Sequence, residues 1–187
     1  MSSTAKKFIV CLLMLTLIIM PKQKVWAESE SYTYTYEYFG FQLESPDAYT
    51  PSAQLFGHQL GIGDFNNPKS LFVRDEYLYI VDSGNNRIVV VDKDFNLVRV
   101  IDKVYIDGEE SALLNPSDVF VDKKGEIYIC DTDNNRVLHT DWDLNVIKIY
   151  VKPADPTVLG ESNFTPLKCV VDSAGRLFVM AANVNQG

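Results

Sequence analysis

The chain repeats itself, and the repeat fixes most of what it can become. One copy runs Asn67-Pro68-Lys69-Ser70-Leu71-Phe72-Val73, then Tyr77 to Val81, then Asp82-Ser83-Gly84-Asn85-Asn86-Arg87 and the apolar run Ile88 to Val91. A second runs Asn115-Pro116-Ser117-Asp118-Val119-Phe120-Val121-Asp122, then Ile127 to Cys130, then Asp131-Thr132-Asp133-Asn134-Asn135-Arg136-Val137-Leu138. A third opens Thr165-Pro166-Leu167-Lys168-Cys169-Val170-Val171-Asp172 and continues with Leu177 to Met180. Pro68, Pro116 and Pro166 stand 48 and then 50 positions apart, and Arg87 and Arg136 stand 49 apart. Independent markers thus give one period, the mark of an array built from one supersecondary unit.

Inside each period the pattern is strand-like. Short β-branched and aromatic runs alternate with Asp, Asn, Gly and Lys clusters, and no stripe of helical period is present. The first copy offers strands at Leu71–Val73, Tyr77–Val81, Arg87–Val91 and Leu97–Ile101; the second at Asp118–Val121, Ile127–Cys130, Arg136–Thr140 and Val146–Val151. Asp122-Lys123-Lys124-Gly125 and Asp172-Ser173-Ala174-Gly175 supply the turns between first and second strands, where Gly takes positive φ without strain. Four antiparallel strands per period of about 40–50 residues is the arithmetic of a propeller blade. The expected fold is therefore an all-β propeller of two full blades (about 67–104 and 115–152) and part of a third (about 164–187). A propeller ring takes about four to eight blades. The expectation is a fragment or truncated product of a longer protein; the rival is several chains completing one ring.

The run of Pro, apolar strand, Gly turn, Leu/Ile-Tyr-Ile/Val-x-Asp and then Asn-Asn-Arg-Ile/Val resembles the NHL repeat. The resemblance covers Asn67 to about Tyr150 well and Phe164 to Gly187 in part. The chain also looks like secreted NHL-repeat proteins of Gram-positive bacteria, which carry a similar Tyr-rich opening segment. The third copy departs from the pattern: Ala181 stands where the first two have Asp, and Asn183 to Gly187 replace the Asn-Asn-Arg turn.

Ahead of the repeats lie two further segments. Lys6 and Lys7, the apolar run Phe8 to Met20, and Val25-Trp26-Ala27 follow the order of a secretory signal, with cleavage expected after Ala27. The apolar run is short of the roughly 20 residues that cross a bilayer core, so membrane association is expected only through an uncleaved signal. Residues 28–63 form a Tyr-rich strand and a Gly-rich linker. The whole chain carries 17 Lys and Arg against 25 Asp and Glu, and loss of the signal removes four of those lysines and no acid. Such an acidic chain repels phosphate backbones, so nucleic acid is not an expected partner.

Candidate functional positions are weighed individually. Asp82, Asn85, Asn86 and Arg87, and their copies Asp131, Asn134, Asn135 and Arg136, are either a ligand-facing polar loop or structural turn residues. Recurrence in successive copies favours structure, with Asp accepting backbone N–H groups and Arg pairing with a carboxylate. Tyr32, Tyr34, Tyr36 and Tyr38 alternate, which puts them on one face of a strand. They are a candidate platform for sugar rings, or a packed outer strand. Asp131-x-Asp133-x-Asn135 imitates the start of a calcium loop, but Arg136 and Trp142 occupy the Gly and Glu positions. His58 and His139 lack partners at ligand spacing, and Cys130 and Cys169 are not spaced like zinc ligands. The two cysteines are buried small hydrophobes or a disulfide. No nucleophile elbow or phosphate-cradling loop is present.

No metal, cofactor or catalytic set is therefore expected. The function expected is a secreted, non-catalytic module that binds protein or carbohydrate. The alternative comes from the resemblance: similar propellers include sugar lactonases and lyases holding a metal at the central channel, so the chain is alternatively part of a metal-dependent propeller enzyme.

Overall fold

The computed structural model describes residues 33–36, 40–45, 53–155, 157, 160 and 163–182. The expected signal segment lies outside the described residues. The chain divides into two units, residues 1–55 and 56–187.

In the first unit, strands β1 (Thr33–Tyr36) and β2 (Gln42–Ser45) pair antiparallel, with Tyr34 opposite Glu44 and Tyr36 opposite Gln42. The described partner of the Tyr-rich strand is thus its own neighbour in sequence.

The second unit holds the repeats. Strands β3 (Pro68–Arg74), β4 (Tyr77–Asp82), β5 (Arg87–Asp92) and β6 (Leu97–Ile101) form one antiparallel four-stranded sheet in chain order. A hairpin follows, β7 (Lys103–Ile106) and β8 (Glu109–Ala112), turning at Asp107 and Gly108 with φ of 51° and 87°. Strands β9 (Asp118–Val121), β10 (Ile127–Asp131), β11 (Arg136–Thr140) and β12 (Val146–Tyr150) repeat the four-stranded sheet. Strands β13 (Thr165–Val171) and β14 (Leu177–Ala182) form the first pair of a third. The chain is all-β, with two complete blades and two strands of another, as the period implies. Among the described residues no helix is long and apolar enough to cross a membrane.

Strand alternation explains how the blades stack. Blade two shows its two faces to two neighbours, so its residues one position apart serve different interfaces. Between blades one and two, Tyr79, Val81, Ile88, Val90 and Ile101 pack with Val119, Val121, Ile127, Ile129 and Leu138. Between blades two and three, Tyr128, Cys130 and Val137 pack with Phe164 and Cys169. Ile129 and Cys130 are both fully buried, yet they belong to separate cores. The irregularities repeat as well. Register shifts fall at Pro68/Ser70 and Pro166/Lys168 on the first strands, and at Val90/Val91 and His139/Thr140 between third and fourth strands.

The turns joining third to fourth strands also recur. Asp92 accepts the backbone N–H groups of Asp94 and Asn96 at 2.9 and 2.8 Å, and Asp141 accepts that of Asn145 at 2.9 Å. Side-chain bonds from Asn96 and Asn145 close the two turns, each at 3.0 Å. These bonds hold both carboxyls below the usual range, because each stabilises the charged form.

Candidate functional site

The sequence-predicted polar turns come first. Asp82 is fully buried at the end of β4. Its Oδ1 accepts the Asn66 backbone N–H at 2.7 Å; its Oδ2 accepts Asn85 Nδ2 at 2.8 Å and Arg87 Nε at 2.7 Å. The Arg87 Nη1 donates onward to the Ile62 carbonyl at 2.8 Å. Blade two repeats the arrangement: Asp131 accepts Leu114 N–H, Asn134 Nδ2 and Arg136 Nε at 2.8, 2.9 and 2.7 Å. Arg136 Nη2 then reaches Ser111 Oγ at 2.9 Å. Asn86 and Asn135 each sit at φ 54°, in the left-handed region that Asn tolerates better than most residues. Asn86 Oδ1 also accepts the Asn115 backbone N–H at 2.7 Å, tying the first blade's turn to the start of the second. Each carboxylate therefore ties the Asn and Arg of its own turn to the chain segment that leads into its blade's first strand. In the third copy Ala181 lies in β14, without that carboxylate.

One neighbour of each Asp escapes a reading of the motif alone. Ser83 Oγ donates to the Pro116 carbonyl, and Thr132 Oγ1 donates to the Pro166 carbonyl at 2.8 Å. Each bond runs from one blade to the next, and both hydroxyl residues are buried. The only sequence signal was a hydroxyl after each Asp, 49 positions apart.

The aromatic platform is only partly described. Tyr34 and Tyr36 are in β1, whereas Tyr32 and Tyr38 lie outside the described residues.

Two further clusters arise from packing between blades. Ser70, Asp118 and Lys168 hold matching places on β3, β9 and β13, each two residues past the repeat's proline. Ser70 Oγ donates to Asp118 Oδ1 at 2.5 Å, and Lys168 Nζ donates to Ser70 Oγ at 2.8 Å and to Asp118 Oδ1 at 3.0 Å. Cys169 N–H completes the set at Asp118 Oδ2, 3.0 Å away. Hydroxyl, carboxylate and ammonium from successive blades thus join in one hydrogen-bonded group.

The second cluster is a cleft of about 480 Å³ between the first turns of blades two and three. Phe120, Tyr128 and Val171 line it with Arg74, Lys123, Lys124, Glu126 and the Asp172–Gly175 turn. Arg74 is fixed by two bonds to the Val121 carbonyl, at 3.0 and 2.7 Å. Asp122 and Asp172 cap their own turns, accepting Lys124 N–H and Ala174 N–H at 2.8 and 2.9 Å. Glu126 meets His139 Nε2 at 2.9 Å, and that ring stacks on Tyr128 with centroids 4.1 Å apart. The other histidine, His58, contacts Asp64 at 2.9 Å on the exposed surface.

Burial pushes the Tyr128 phenol up from its ordinary 10 to about 12, with Tyr150 and nearby acids adding to the shift; Tyr79, within the first core, is raised equally. A folded-state value above the unfolded one means the neutral phenols stabilise the fold fully below pH 10. That contribution is lost as pH rises through 12. Stability measured by urea melts should fall steadily over this window, and Tyr128→Phe should flatten part of the decline. An unchanged slope in Tyr128→Phe would show that the phenol ionises freely in the folded chain.

Residues 113–139 match the NHL repeat family model. They begin just past the inter-blade hairpin and cover the first two strands of blade two and most of the third. No curated protein sequence matches the chain. Among solved structures, hydrazine synthase from Kuenenia stuttgartiensis is 13% identical, with 73% of this chain covering 33% of that one at a TM-score of 0.48. Virginiamycin B lyase from Staphylococcus aureus, in an inactive form with quinupristin, is 13% identical over 80% of this chain and 42% of that one, TM-score 0.44. A streptogramin B lyase is 16% identical over 82% and 49% of the respective chains, TM-score 0.38. The chain spans a third to a half of the length of these structures. Residues 113–139, in blade two, thus match an NHL repeat, and the four-stranded units are built as propeller blades.

Proposed function

We propose that the chain is a secreted or cell-surface binding module without catalytic activity, and that its protein or carbohydrate ligand sits in the cleft beside Phe120 and Tyr128. One observation carries this reading: the acids of the cleft are committed to holding turns and a histidine, while its lysines and the part-exposed Phe120 remain available. Asp122, Asp172 and Glu126 all have internal partners. Lys123 has no charged partner among the described residues, and Lys124 has only a long 3.9 Å contact to Glu126. Phe120 is half-buried at the cleft wall. A wall that is apolar on one side and cationic at its rim suits a ligand with a ring or aliphatic face beside a negative group. The acids, already engaged, are poorly placed for general acid–base work, which needs a group free to exchange its proton.

The purified chain, probed on a glycan array and an acidic-peptide array, should bind a defined subset of one of them. Lys123→Glu with Lys124→Glu, which alters only exposed side chains, should weaken that binding about tenfold, a loss of ~1.4 kcal/mol. Absence of binding on both arrays, or binding indifferent to the charge reversal, would remove the cleft from consideration.

A further inference from the structure

Where the second and third blades meet, two thiols and a carboxylate converge in the interior. A carboxylate oxygen of Asp118, Cys130 Sγ and Cys169 Sγ all lie within 4.8 Å of one another. The residues are 7%, 0% and 7% exposed. They come from β9, β10 and β13, so the cluster is made only when the two blades dock. We propose that these three residues bind one soft, thiophilic divalent cation of the zinc type.

Ligand chemistry and distance agree. Thiolate and carboxylate sit about 2.3 and 2.0–2.2 Å from zinc, so ligand atoms around one tetrahedral ion are roughly 3.5–4 Å apart. The three ligand atoms, all within 4.8 Å of one another, are close to this spacing. Both cysteines are free thiols. Binding releases both thiol protons to solvent, and the two thiolates then balance the dication. Asp118 is already matched by Lys168, 3.0 Å away. The filled site therefore carries no net charge, which matters because an unbalanced charge in the interior is costly.

The carboxylate is also held ready. Ser70 and Lys168 occupy Oδ1, while Oδ2 accepts one hydrogen bond, from Cys169 N–H, and keeps a lone pair for a metal. Such outer partners orient a ligand and tune its affinity. Three protein ligands leave a fourth position for water. The site is independent of the cleft's ligand, and its ion would clamp blade two to blade three.

The test uses the full chain, purified under reductant and stripped with a chelator. Cobalt(II) titration should give one ion per chain, with thiolate charge-transfer and tetrahedral d–d bands that one equivalent of Zn2+ abolishes. Cys130→Ser or Cys169→Ser should eliminate the charge-transfer band, and Ser70→Ala, which touches no ligand atom of sulfur, should weaken binding about tenfold. Should the serine variants fail to fold, the unmodified chain still decides: a mercurial thiol reagent should release one bound Zn2+ per two thiols titrated. No cobalt band, a band that survives in a folded serine variant, or no zinc release would each overturn the site. So would a purified chain whose thiols become titratable only after reduction, since the pair would then be a disulfide.

Discussion

Asp131→Ala is expected to cost about 3–5 kcal/mol of folding free energy, the range for breaking a buried ion pair from one side. The carboxylate is fully buried, and the Arg136 side chain it holds is only 14% exposed. Alanine leaves that guanidinium, the Leu114 N–H and the Asn134 amide without their acceptor at once. A whole domain of this size is stable by roughly 5–15 kcal/mol, so the variant should be substantially unfolded at modest urea. Asp131→Asn should lie between, since the amide keeps one acceptor oxygen and loses the charge. The double-mutant cycle of Asp131→Ala with Arg136→Ala should return a coupling of about 1–3 kcal/mol. A stability for Asp131→Ala within about 0.5 kcal/mol of the parent, the scatter of surface substitutions, would mean the turn is held by other means.

Ile129→Ala should cost about 2–5 kcal/mol, because it removes three carbons from a close-packed site and leaves a cavity. Ile129 is fully buried between blades one and two, among Val81, Ile88, Val121 and Leu138. Those neighbours belong to two sheets pinned by their own ladders, so collapse around the void is limited. The adjacent Cys130 is buried as deeply but faces the other core and is smaller, so Cys130→Ala should cost appreciably less. The two positions share a strand and a degree of burial, so the comparison reads the face and the volume removed. Urea melts of both variants, with unchanged m-values, measure it. Equal losses would mean that the two cores are not separable.

The architecture was largely legible because a blade advertises itself locally. Period-two runs gave the strands, and Asp122–Gly125 and Asp172–Gly175 gave their turns. Blade strands ended up longer than the apolar runs: β3 and β13 begin at or before the proline, which fits the start of a strand where its missing N–H is not needed. The hairpin of β7 and β8 went unread, because Glu109 and Glu110 lie where a strand signal would be apolar. The repeated turn at Asp92/Asn96 and Asp141/Asn145 recurs in the sequence at the same period, but short Asp and Asn clusters are common to many turns. Contacts between blades were not legible at all. Ser70, Asp118 and Lys168 are three different residue types, so no motif scan groups them, and their meeting depends on how whole sheets lie against each other. The same holds for Cys130 and Cys169, whose separation of 39 positions says nothing about proximity.

The bonds from Ser83 to the Pro116 carbonyl and from Thr132 to the Pro166 carbonyl have a bearing on ancestry and engineering. Blades one and two carry the donor on their trailing side, and blades two and three the acceptor on their leading side, like couplings on railway wagons. A duplicated or excised module would find the same coupling waiting, with no new chemistry to invent. Length in such an array can therefore change by whole wagons, while the coupling itself stays constant.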